Sequence, residues 1–118
     1  MRLEHDLRFE AAHWLPRVPE GHRCRRVHGH SYMVTVVVEG PVDADSGWVV
    51  DYATLEAALK PVIGALDHYL LNEIEGLANP TSEAIAMWIW ARVKPNLAGL
   101  VELRLHETHD TRCIYRGD

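Results

Sequence analysis

His28 and His30, in the run "CRRVHGH" (24–30), are separated by a single glycine. On a strand, residues two apart project to the same side, so these imidazoles converge on one point. Zinc takes imidazole nitrogens at about 2.0–2.1 Å, and such a pair makes a natural pincer for it. Gly29 has no side chain to crowd the approach. His13 is the candidate third ligand, because a neighbouring antiparallel strand would bring the end of its own segment beside the pair. Three neutral imidazoles leave one coordination position open, as in catalytic zinc. Two other readings stand beside this one. His13 could be a hydrogen-bonded core histidine, and Cys24 could close the shell of a non-catalytic, zinc-stabilised module.

Three further features carry potential chemistry. Glu107 follows Val101, Leu103 and Leu105 on one apolar alternation, where an unpaired buried charge is costly. Its partner is either an internal arginine or a ligand with two parallel N–H donors, such as the guanidine-like edge of a pterin or guanine. Cys24 is flanked by Arg23, Arg25 and Arg26. Nearby cations lower a thiol's pKa from about 8.5, so Cys24 could serve as a thiolate, and the arginines could meet phosphate or simply solvate a loop. Asp67-His68 lies where the first helix should end, and its interest depends on what the fold places beside it.

The elements that must position these groups are readable. Leu3, His5, Leu7, Phe9, Ala11 and His13 alternate with mostly polar residues, which predicts a strand with one buried face. The β-branched run from His28 to Glu39 predicts a second strand, with "WVVDY" (48–52) as its antiparallel return. Asp51 should cap a helix over about Tyr52 to Leu66 with Leu55, Leu59, Val62, Ile63 and Leu66 buried, and Pro61 should kink or split it. A second helix should start near Thr81, bury Ile85, Trp88, Ile89 and Val93, and stop at Lys94-Pro95. Period two returns from Val101, with a last short strand near Cys113–Tyr115. Strands, two helices, then strands predict an α+β fold: an antiparallel sheet of about four strands with both helices on one face.

At 118 residues one domain, spanning 1–118, is expected. A net charge of −5 offers no general attraction to nucleic acid. No apolar run approaches the roughly 20 residues of a membrane span. "MRLEHDLRFE" is too charged for a secretory signal, and two cysteines without one suggest free thiols in the cytoplasm. Eight histidines are unusual for this length. His5, His22, His106 and His109 receive no role.

Taken in order, "FEAAH" (9–13), "CRRVHGH", "GWVVDY" (47–52), "LDHYLLN" (66–72), "NPTSE" (79–83), "HET" (106–108) and "CIYRG" (113–117) give the chain a specific resemblance. It resembles the 6-pyruvoyl-tetrahydropterin synthase family, and most closely the bacterial 6-carboxy-tetrahydropterin branch of queuosine biosynthesis. The resemblance implies the tunnelling fold (T-fold), whose subunits assemble as trimers or hexamers with active sites between chains. It implies zinc on His13, His28 and His30, with Cys24 free to react. It implies Asp67 and His68 as a proton-transfer pair, Glu107 as the anchor of the pterin ring, and Thr81 and Ser82 as further pterin contacts. The implied reaction converts 7,8-dihydroneopterin triphosphate to 6-carboxy-5,6,7,8-tetrahydropterin, acetaldehyde and triphosphate. The three residues between Cys24 and His28 favour the carboxy product over 6-pyruvoyl-tetrahydropterin or sepiapterin cleavage.

Overall fold

The computed structural model describes all 118 residues. Two 12-residue strands, β1 (Arg2–His13) and β2 (His28–Glu39), pair antiparallel along their whole length, with His13 opposite His28. Helices α1 (Tyr52–Gly64) and α2 (Ser82–Val93) follow, then β3 (Leu100–His106) and β4 (Cys113–Tyr115). The sheet is antiparallel in the order β1-β2-β3-β4. Both helices cover one face. Phe9, Tyr32, Val34, Val36, Leu103 and Leu105 meet Leu55, Leu59, Ile63, Ile85 and Ile89 there in a single core.

The caps are as the sequence dictates: Asp51 Oδ1 accepts from the Ala53 N–H, and Thr81 Oγ1 from the Ala84 N–H. Three expectations fail for physical reasons. The 48–50 segment forms no strand, because β1 and β3 already occupy both edges of β2. Pro61 neither splits nor ends α1. Its missing N–H frees only the carbonyl of the exposed Ala57, and Pro61 stands three residues before the helix stops. A register shift between Val37 and Val38 places Leu100 in the core and leaves Val101 half-buried.

The opposite face of the sheet is held by charge. Glu102, 3% exposed, accepts from Arg104 Nε at 2.6 Å and Arg116 Nε at 2.9 Å, and Arg104 reaches Glu4 at 2.6 Å. This ties the chain after β4 back to β3. Gly117 then lies against Trp90 with φ of 84°, where a Cβ would come within 2.7 Å of the indole. Burial pushes the Glu102 carboxyl up, but the hydrogen bonds from Arg104 and Arg116 outweigh it and hold the pKa below the ordinary range. A depressed folded-state pKa stabilises above the unfolded value of about 4.3 and loses that stabilisation as pH falls through the folded value. Glu102→Gln should therefore cost about 1–3 kcal/mol near neutral pH, tempered by the exposure of Arg116. The loss should shrink in acid, as read from urea unfolding across pH.

Candidate metal centre

The β1/β2 register places His13 and His28 side by side, and His30 follows on the same face of β2. The ring centroids lie 4.6 Å apart for His13–His28, 5.1 Å for His13–His30 and 5.0 Å for His28–His30. Glu107, one residue beyond β3, completes the cluster. One donor atom from each of these four residues falls within 4.8 Å of every other, a group able to hold a metal ion. Cys24 is not in it.

Backbone carbonyls set the ring orientations. His13 Nδ1 lies 2.8 Å from the Pro80 carbonyl, and His28 Nδ1 lies 2.7 Å from the Arg26 carbonyl. A carbonyl only accepts, so each Nδ1 carries the proton and each neutral ring turns its Nε2 lone pair to the cluster. Metal-ligating histidines are commonly oriented in this way. The Tyr32 hydroxyl, 3.3 Å from His13 Nδ1, has its pKa pushed far up by burial and stays protonated. Burial, reinforced by the other two imidazoles and opposed by Glu107, pushes the His30 pKa down and favours the neutral ring. The Nε2 atoms of His13 and His30 are buried without a hydrogen-bond partner. Two buried, unpartnered imidazole nitrogens converging on one point are what a metal cation would satisfy, so the residues present fit the ion.

Glu107 Oε1 stands 3.1 Å from both orphaned atoms, while Ser82 Oγ donates to Oε2 at 3.3 Å. Thr81, by contrast, is occupied as the α2 cap.

Two cavities meet at His30. One of about 590 Å³ is lined by Arg23, Cys24, His28, His30, Glu107 and the loop residues Thr108, Asp110 and Thr111. Cys24 sits there in a short 3-10 turn (Arg23–Arg25), its N–H donating to His22 Nδ1 and its carbonyl accepting from the Leu15 N–H. The flanking arginines part company. Arg25 is spent on the Pro16 and Val18 carbonyls, Arg26 supplies the carbonyl for His28, and only Arg23 lines the cavity.

The second cavity, about 490 Å³, is lined by Glu10, Gly29, His30 and His68 among others. Residues 67–70 run along the outer edge of β1. Asp67 Oδ1 accepts from the Glu10 N–H, and the His68 and Tyr69 backbone pairs with Glu10 and Ala12. His68 adopts φ of 64° to make this turn, and its ring lies exposed with Nδ1 3.0 Å from Asp67 Oδ2. The chain thus joins Asp67 to His68 but does not bring His68 and Cys24 into one cavity. Sequence reasoning missed the Pro80 and Arg26 carbonyls, for which no residue type is a signal.

Residues 2–118 match the description of 6-pyruvoyl tetrahydropterin synthase. The chain belongs to that family. It is 43% identical to the 6-carboxy-5,6,7,8-tetrahydropterin synthase of Synechocystis, over 91% of this chain and 86% of that one. It is 36% identical to the Bacillus subtilis protein of the same name, over 97% of this chain and 84% of that one. Its fold overlays the Caenorhabditis elegans 6-pyruvoyl tetrahydropterin synthase with a TM-score of 0.93 at 27% identity, covering 100% and 96% of the two chains. The synthase-family fold accounts for the four-stranded sheet with two helices on one face. No helix is long and apolar enough to cross a membrane.

Proposed function

We propose that this single domain (1–118) is a zinc-dependent carbon–carbon lyase of queuosine biosynthesis, a 6-carboxy-5,6,7,8-tetrahydropterin synthase. It would convert 7,8-dihydroneopterin triphosphate to the 6-carboxy product with release of acetaldehyde and triphosphate. The observation that carries this reading is the separation of metal group and thiol. Cys24 faces the same cavity as His28, His30 and Glu107 yet stands outside the metal group. A cysteine closing a structural shell would stand inside it.

His13, His28 and His30 would hold zinc, which supplies Lewis acidity toward the substrate's side-chain oxygens. Glu107 accepts the paired N–H edge of the pterin, with Ser82 steadying its second oxygen and Thr81 forming the adjacent wall. Cys24 removes a side-chain proton. Arg23, the one arginine of its cluster lining the cavity, meets the phosphate end. His68, oriented by Asp67, carries the second proton. Because it opens on the other cavity, it serves the Cys24 of a neighbouring subunit, in a trimer or hexamer with sites between chains. The cytoplasm is the expected compartment.

The likeness to the C. elegans structure favours a second reading, elimination of triphosphate alone to give 6-pyruvoyl-tetrahydropterin. Incubating the zinc-loaded protein with dihydroneopterin triphosphate and identifying the pterin by mass spectrometry separates the two. A 6-carboxy product is expected. A 6-pyruvoyl product would transfer the assignment to the second reading, and an unconverted substrate would sink both.

A further inference from the structure

We propose that Glu107 is an exchangeable fourth donor to the metal: Oε1 closes the shell of His13, His28 and His30 until an arriving pterin draws the carboxylate out. The first half rests on geometry alone; the second rests on the proposed pterin activity.

Spacing comes first. Two donors each about 2.0–2.1 Å from a tetrahedral zinc lie about 3.3 Å from one another. Glu107 Oε1 is 3.1 Å from His13 Nε2 and 3.1 Å from His30 Nε2, the separation of ligands sharing one ion. At His13 hydrogen bonding is not the alternative, since its proton goes to Pro80 through Nδ1 and its Nε2 lacks a hydrogen-bond partner. A carboxylate oxygen against an imidazole lone pair is repulsive unless a cation lies between them. Charge points the same way: three neutral imidazoles leave a dication uncompensated, and one carboxylate halves the deficit.

The carboxylate is also free to leave. Its side chain is 29% exposed, starts beyond the last paired residue of β3, and faces the 590 Å³ cavity. The one side-chain hydrogen bond restraining it, from Ser82, is long at 3.3 Å. Accepting two parallel N–H groups requires both carboxylate oxygens to face the ligand. Oε1 cannot do this while turned into the histidine cluster, so the two roles alternate. The open position that three histidines imply is therefore exposed only as the pterin takes Glu107 away.

The test compares wild type with Glu107→Gln, whose shape is conserved. Metal-free protein is titrated with zinc against a chromophoric chelator. The variant should bind zinc more than about 10-fold more weakly, at least the loss typical of an outer-shell partner, with unchanged melting of the metal-free forms. Equal zinc affinity would overturn the donor role. Cobalt(II) then replaces zinc, and its visible spectrum is followed during titration with unsubstituted pterin, whose fluorescence reports binding. The wild-type spectrum should change on saturation and the variant's should not. A constant wild-type spectrum at saturating pterin would overturn the exchange. Pterin that failed to bind at all would count against the proposed function, while the zinc comparison would still decide whether Glu107 is a donor.

Discussion

Cys24→Ala should give a folded, metal-loaded protein that turns over its substrate about 10²–10⁴-fold more slowly, the usual loss for a positioned acid or base. The turn carrying Cys24 is held by backbone atoms: its N–H bonds His22 Nδ1 at 3.1 Å and its carbonyl accepts from Leu15 at 2.8 Å. Arg25 clamps the same loop through the Pro16 and Val18 carbonyls. Removing a half-buried sulfur therefore leaves the loop in place. Its absence from the four-residue metal group predicts full zinc content, measured by elemental analysis beside the turnover rate. Loss of zinc in this variant would return Cys24 to the shell and revive the structural module that the sequence leaves open.

Much of this site is legible from residue order because strands convert sequence spacing into direction. The alternation ending at His13 and the His-Gly-His step each commit their imidazoles to one face, and antiparallel pairing brings the two ends together. Glu107 is legible as an anomaly, a carboxylate at the end of an apolar alternation. Its place within 3.1 Å of two histidine nitrogens is not, since that depends on the β2/β3 register and on the shift near Val37 and Val38. The edge pairing of residues 67–70 is equally hidden. It requires His68 to take a left-handed conformation, which histidine adopts more readily than most residues but which no pattern in the sequence announces. The "WVVDY" segment shows the converse failure. Its β-rich composition describes what a strand accepts, while the filled edges of β2 decide that none forms there.

The second large effect separates histidines that a motif treats as equals. His13→Ala and His28→Ala should both lose zinc, with affinity falling by more than the roughly 10–100-fold typical of outer-shell losses. Their metal-free forms should differ. His13 is 1% exposed, stacks edge-on against Tyr32, and donates to the carbonyl of buried Pro80 directly before the α2 cap. Its removal opens a void and orphans that carbonyl, for an expected loss of about 2–4 kcal/mol. His28 is half-buried, and the Arg26 carbonyl it meets lies on an exposed loop where water can replace the ring. There the expected loss is within about 1 kcal/mol. Urea unfolding in the presence of a chelator measures both without the metal's own contribution to stability. Equal destabilisation by the two substitutions would mean that the Pro80 contact does not tie the metal centre to the start of α2. The larger loss for His13→Ala would show one histidine joining both helix and sheet to the chemistry.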